Sequence, residues 1–232
     1  MESFDVIYAR AAERKGGPEG LEALLPKPKT PEELAALPDD RYLSAMTKRI
    51  FQAGFVWKVV ENKWPDFERA FWGFDPHRLA HMPEEELHEL TSDPGIIRNW
   101  PKIKTAHANA RFVLDVAAEH GSFGKFVADW PLEDITGLWD VLKKRGSRLG
   151  GSSGPMVLRM VGKDTFVFSD DVVMALVAQG IVDGRPTSKT ALKAAQDAFN
   201  QWRAESGRHL CEISRALSCS VGENYRHPVE EM

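Results

Sequence analysis

Two cysteines, Cys211 and Cys219, are all that 232 residues carry. That excludes a disulfide-stapled secreted scaffold, and four thiolates for a structural zinc site are not available. No apolar run approaches the roughly 18 residues that a bilayer span requires. The opening stretch MESFDVIYARAAERKGG lacks a basic segment followed by an apolar one, so no secretory signal is expected. These absences predict a cytoplasmic protein with no membrane partner. Sustained period-two alternation is missing as well, and TFVFS at 165–169 is the only segment that reads as a strand. There is no internal repeat, no low-complexity tract and no GxxxxGK[ST] phosphate loop.

What remains is a chain that is 43% hydrophobic and 28% charged, with a formal net charge of -4. It can bury a core, as one domain or as one domain in two lobes. Helical periods dominate, and the expected class is all-α. A short helix covers 1–14. Residues 15–41 are rich in proline and read as a wrapping arm with one short helix, capped by Thr30 and opened by Pro31. A long helix is expected over 40–63, with Met46, Ile50, Ala53, Trp57 and Val60 as its inner stripe. Pro65 then starts another. Further helices are expected from Pro83, over 102–120, near 123–129 and 134–145, and over 171–180, 187–205 and 209–219, about ten in all. This divides the chain into an N-terminal arm, 1–39, and a helical body, 40–232, whose C-terminal helices pack back on the other lobe.

The most informative stretch runs from Trp139 to Gly184. Residues 141–163 hold Lys143, Lys144, Arg145, Arg148, Arg159 and Lys163 and no acid. Removing those six from the 30 basic residues leaves 24 against 34 acidic ones. Positive charge is thus focused on an otherwise acidic chain, as a phosphate-facing surface requires, although a solvated helix end would look similar. LGGSSG, residues 149–154, lies inside that patch. Adjacent glycines allow a tight turn, and the helix after it opens with free N–H groups. Ser169-Asp170-Asp171 follows. One acid at a helix start is ordinarily a cap, but a carboxylate near apolar residues also serves as a base or stabilises positive charge.

Three segments resemble the helix-hairpin-helix DNA glycosylases, and most closely the DNA-3-methyladenine glycosylase I family. They are IFQAGFVWKVVENKWPDFERAFWGFDPHRLA (50–80), DPGIIRNWPKIKTAHANARFVL (93–114) and LKKRGSRLGGSS (142–153), the last followed later by AQGIVDGRP. The resemblance spans about 40–186 and implies a two-lobed helical fold with a central cleft. Its helix-hairpin-helix region lies near 139–163. It implies a monomeric enzyme that grips duplex DNA and flips a damaged base out of the stack. Trp57 matches the base-stacking tryptophan, with Arg49 and Gln52 in the same pocket. Leu149, Gly150, Gly151, Ser152, Ser153 and Gly154, with Lys143, Lys144 and Arg148, would hold the DNA backbone. A monovalent cation on hairpin carbonyls is a further implied partner.

Three departures qualify the match. The family joins its termini through zinc on two Cys and two His. Here the N-terminal region has neither residue, and although His209, Cys211, Cys219 and His227 lie near the C-terminus, zinc is not expected. The family carries a glutamate three residues before the QAG match, where this chain has Arg49, a like charge for a cationic purine. Finally, the segment MVGKDTFVFSDDVVMAL resembles the wider superfamily, whose catalytic aspartate follows the hairpin. Asp170 fits one spacing and Asp171 the other, with Asp170 favoured. Superfamily members that also cleave the backbone have a lysine where this chain reads Ser153-Gly154-Pro155, so a monofunctional enzyme of base excision repair, without lyase activity, is implied. The residues leave two other classes open: a hairpin DNA-binding protein that has lost catalysis, and a helical protein-interaction domain.

Overall fold

The computed structural model describes residues 1–223, so His227 lies outside the described residues. Among them there are fourteen α-helices, three short 3-10 turns and no strand. The helices are α1 (Phe4–Arg14), α2 (Pro18–Glu22), α3 (Pro31–Ala36), α4 (Asp39–Gln52), α5 (Trp57–Ala70), α6 (Pro76–His81) and α7 (Glu84–Glu89). They continue with α8 (Trp100–His120), α9 (Phe123–Asp129), α10 (Ile135–Arg145), α11 (Ser153–Val161), α12 (Asp170–Ala178), α13 (Lys189–Ser206) and α14 (Leu210–Ser220). The expected all-α class holds.

Four local expectations change. The helix expected over 40–63 is two helices, because α4 ends at Gln52 and Gly54 takes a left-handed φ of 77°. Ala53 and Trp57 therefore leave the inner stripe and are exposed, while Met46, Ile50 and Val60 stay buried. Pro65 lies inside α5 rather than at a helix start. It removes only the bond to the carbonyl four residues back, and packing holds the helix on either side. The arm contains α2 as well as α3. TFVFS lies outside any helix and forms no strand.

The chain forms two compact units. One comprises Lys29–Pro131 and Gly137–Lys163. Its centre is α4, which packs against α5, α8, α9 and α11. Phe51, Phe67, Phe71 and Phe74 are fully buried. Trp64, Phe67, Phe71 and Phe74 stack nearly parallel, with centroids 5.1–5.8 Å apart. Such pairs add roughly 0.5–1.5 kcal/mol each beyond area burial, which fixes how α5 leaves the 53–56 turn. Glu68 closes this layer, accepting from Arg41, from Ser44 Oγ at 2.7 Å and from Trp64 Nε1 at 3.1 Å. Helix α3 lies on α9, where Asp39 Oδ1 accepts the Phe123 N–H at 2.9 Å.

The other unit comprises Met1–Pro28, Leu132–Thr136 and the chain from Asp164 onward. Helices α1, α12 and α13 pack on α14, and Phe166 stacks on Phe199 at 4.0 Å. The buried Asp164 carboxylate accepts the N–H groups of Leu210 and Cys211, at 3.1 and 2.8 Å, and so caps α14. Cys211 and Cys219 are both buried, and neither is in a disulfide. No helix among the described residues is long and apolar enough to cross a membrane.

Candidate nucleic-acid interface and base site

Helices α10 and α11 and the turn between them form a helix–turn–helix element. Leu142 and Leu149 are buried, which anchors the turn. Gly154 is required by close approach, since a Cβ there would lie 2.7 Å from the Leu149 carbonyl oxygen. Gly151 is required by conformation, with φ 60° and no atom within 4 Å of a Cβ position. Inside the turn, Gly154 N donates to Leu149 O at 3.0 Å and Ser153 N to Gly150 O at 3.1 Å. The N–H groups of Gly150, Gly151 and Ser152 have no hydrogen-bond partner among the described residues. Gly151 and Ser152 are exposed. Three successive free N–H groups at the start of a nine-residue helix make an anion cradle.

The basic patch is smaller than its sequence. Lys163 is buried, and its ammonium donates to the Ala128 and Trp130 carbonyls at 3.2 and 2.8 Å. Lys144 pairs with Asp140 and Arg145 with Glu119, so part of the charge is compensated. Lys143 and Arg148, exposed like Lys144 and Arg145, flank the turn. Arg148 itself holds φ 58°, an uncommon conformation for a residue with a Cβ. Asn109 stabilises it. This fully buried side chain accepts the Ser147 N–H at 2.7 Å and donates to the Ser147 carbonyl at 3.1 Å.

Arg49 lies in the last turn of α4, on the side that packs against α11. Only 9% of it is exposed. Its Nη2 donates to Ser152 Oγ at 3.3 Å, and its guanidinium lies 5.6 Å from the centre of the Trp57 ring. Nε is buried with no hydrogen-bond partner. No carboxylate pairs with it among the described residues, and burial lowers its pKa below the ordinary arginine value. Trp57 opens α5 and is 50% exposed, so ring surface is available to a ligand. Gln52 Nε2 donates to Glu61 at 3.0 Å, and Lys48 also pairs with Glu61.

Two features escape a reading of the sequence. Phe55, Val56 and Val59 are exposed around Trp57, forming an apolar knuckle. Lys102 of α8 is buried behind it, donating to the carbonyls of Phe51 at 3.2 Å and Ala53 at 2.6 Å, with Phe55 at 4.5 Å from its ammonium. Burial, and then the Arg148 charge, lowers the Lys102 pKa. A lysine amid buried apolar positions of one helix face was the available signal, as was Asn109 between Ala106 and Ala110.

Asp170 and Asp171 belong to the other unit. Ser169 is the cap of α12, its Oγ accepting the Val172 N–H at 3.2 Å, so the acids occupy the first turn and favour the helix dipole. The Asp170 side chain is 97% exposed and pairs with Arg185. Asp171 is half-buried, and a Cβ on Gly222 would lie 2.8 Å from its Oδ1.

Residues 36–147, just under half of the chain, match the methyladenine glycosylase family. DNA-3-methyladenine glycosylase 1 of Escherichia coli (strain K12) is 38% identical over 76 residues, which cover 33% of this chain and 41% of that protein. DNA-3-methyladenine glycosylase of Haemophilus influenzae (strain ATCC 51907 / DSM 11121 / KW20 / Rd) is 29% identical over the same shares of both chains. A crystal structure of 3-methyladenine DNA glycosylase I superposes with a TM-score of 0.44 at 28% identity, covering 55% of this chain and 76% of that one. The chain thus spans about two fifths of the length of the curated relatives it matches. The matched stretch contains the first two segments on which the resemblance rests.

Proposed function

We propose that this protein is a DNA glycosylase that hydrolyses the N-glycosidic bond of a damaged, alkylated purine in duplex DNA. One observation carries the reading: Arg49 bridges the half-exposed Trp57 ring to Ser152, beside three free N–H groups. A surface for a flipped base and a cradle for the phosphates therefore lie in one unit. The phosphate contacts would position the duplex without reading sequence, through Gly150, Gly151, Ser152, Lys143 and Arg148. An extruded base would stack on Trp57, and damage eases the extrusion.

As the bond to the base breaks, positive charge develops on the sugar. A carboxylate stabilises that charge and orients the attacking water. Asp170 and Asp171 are assigned this role on the superfamily resemblance, with Asp170 favoured. Ser153, Gly154 and Pro155 carry no amine, which supports hydrolysis without strand cleavage. A monovalent cation at the hairpin would share the Leu149 and Gly150 carbonyls with their existing bonds, and no step uses one or needs zinc. Two buried cysteines outside any disulfide support a reducing, cytoplasmic setting, with the chain acting as a monomer.

The test is base release from duplexes each carrying one damaged purine, with the product identified by mass spectrometry and strand breaks scored in parallel. Release of at least one base without nicking is expected. Tight duplex binding with no release from any substrate would leave a non-catalytic binder and refute the enzyme.

A further inference from the structure

We infer that Arg49 makes the base site select uncharged purine lesions presenting a hydrogen-bond acceptor, and reject bases alkylated to a cation. The inference rests on the reading of Trp57 as the surface on which the base stacks. The guanidinium lies 5.6 Å from the centre of that ring. It is nine-tenths buried and has no carboxylate partner among the described residues. A second positive charge stacked on the ring would lie within about 10 Å of an uncompensated one, in a setting that water only partly screens. Lys102, also buried and cationic, backs the neighbouring Phe55 and adds to that charge, while the Glu61 carboxylate, four residues after Trp57, is paired with Lys48.

The donor pattern says what the site accepts. Nη2 is engaged by Ser152 Oγ and Nε is sealed. Nη1 has no hydrogen-bond partner among the described residues and is not among the sealed atoms. It can donate to a carbonyl oxygen or to a ring nitrogen with a free lone pair, the edge a guanidinium ordinarily reads on a purine.

Charge bookkeeping in the reaction runs the same way. When the C1′–N bond of an uncharged base breaks, its electron pair stays on the base, which departs as an anion. Water adds to C1′, and the proton it releases ends on the base. A fixed guanidinium stabilises that developing anion. A cationic base departs neutral and gains nothing from it, while its bound state is repelled. Arg49 thus aids the poorer leaving group and works against the better one.

The experiment is single-turnover base release from duplexes carrying 3-methyladenine, 7-methylguanine, 1,N6-ethenoadenine or O6-methylguanine. Wild type is compared with Arg49→Gln, Arg49→Lys and Arg49→Glu. The ratio of uncharged to cationic base release should fall on the order of 10-fold or more from wild type to Arg49→Gln, as one pair of like charges would give. Arg49→Lys should keep the wild-type ratio, and Arg49→Glu should lower it further than Arg49→Gln does. Melting temperatures identify any variant that fails to fold, and Arg49→Gln and Arg49→Lys serve if burying a glutamate does so. An unchanged lesion ratio in folded Arg49→Gln overturns the inference. So does an equal loss of affinity for damaged and undamaged duplexes with a shallower salt dependence, which would make Arg49 a phosphate ligand. If no protein releases any base, the glycosylase reading fails. Equilibrium binding of the same duplexes then decides, and equal affinity for cationic and uncharged lesions refutes the selectivity by itself.

Discussion

Asn109 is the side chain on which the turn before the hairpin hangs, and Asn109→Ala tests that directly. The wild-type amide is fully buried and satisfies both main-chain groups of Ser147, at 2.7 and 3.1 Å. Alanine removes the two bonds and leaves the part-buried Ser147 N–H and C=O without a protein partner. Net hydrogen bonds contribute about 1 kcal/mol each, and a stranded buried group costs about 1–3 kcal/mol, so the loss should be about 2–4 kcal/mol. For a chain of this size each kcal/mol moves Tm by about 2–4 °C, which places the expected drop at roughly 5–15 °C. The freed segment carries Arg148 at its positive φ. Affinity for duplexes of any sequence should therefore fall together with Tm, even though Asn109 touches no DNA. Asn109→Asp keeps the acceptor for Ser147 N–H but sets a carboxylate against the Ser147 carbonyl. Its pKa would be raised, so its penalty should ease as pH falls and the carboxyl regains a proton to donate. Differential scanning calorimetry and fluorescence anisotropy read the two effects. A wild-type Tm in Asn109→Ala, or a lowered Tm with unchanged affinity, would refute the reasoning.

Three further outcomes are expected. Gly151→Val should weaken binding to every duplex through a left-handed φ costing about 1–2 kcal/mol for a residue with a Cβ and through a side chain blocking the cradle, yet the open space around it means no clash within the fold. Anisotropy with a parallel melt separates this from unfolding, and unchanged affinity counts against the cradle. Asp170→Asn should slow base release on the order of 100-fold, with DNA affinity kept, while Asp171→Asn costs much less. Wild-type rates in both variants would remove the carboxylates from the mechanism. Glu68 is pushed up by burial but held below its ordinary pKa by Arg41, Ser44 and Trp64 acting together. A depressed carboxylate contributes stability that is present above the unfolded pKa, about 4.5, and is lost as pH falls through the lower folded value. Acid melts should therefore fall off less steeply below that pH in Glu68→Gln, and parallel curves would refute the assignment.

Sequence periodicity alone determined the helical class, because an amphipathic stripe needs only local spacing and a core to face. It located α8, α9 and α13 within a few residues, and Thr30 caps α3 as expected, with Glu33 completing a capping box that the structure adds. The glycine turn was legible too, since only glycine tolerates both the φ of Gly151 and the close backbone at Gly154. The break after Gln52 was not. Met46, Ile50, Ala53, Trp57 and Val60 keep helical spacing straight through Gly54, and only packing decides that the chain turns there and leaves Trp57 half-exposed. Charge was misread for a related reason. Composition counts Lys163 and Lys143 alike, whereas tertiary structure buries one against two carbonyls and leaves the other beside the turn. The contacts that define the site join residues distant in the chain: Arg49 with Ser152, Asn109 with Ser147, Lys102 with Ala53. Residue identity supplied each donor and acceptor, but only the fold brings partners from different helices within hydrogen-bond reach.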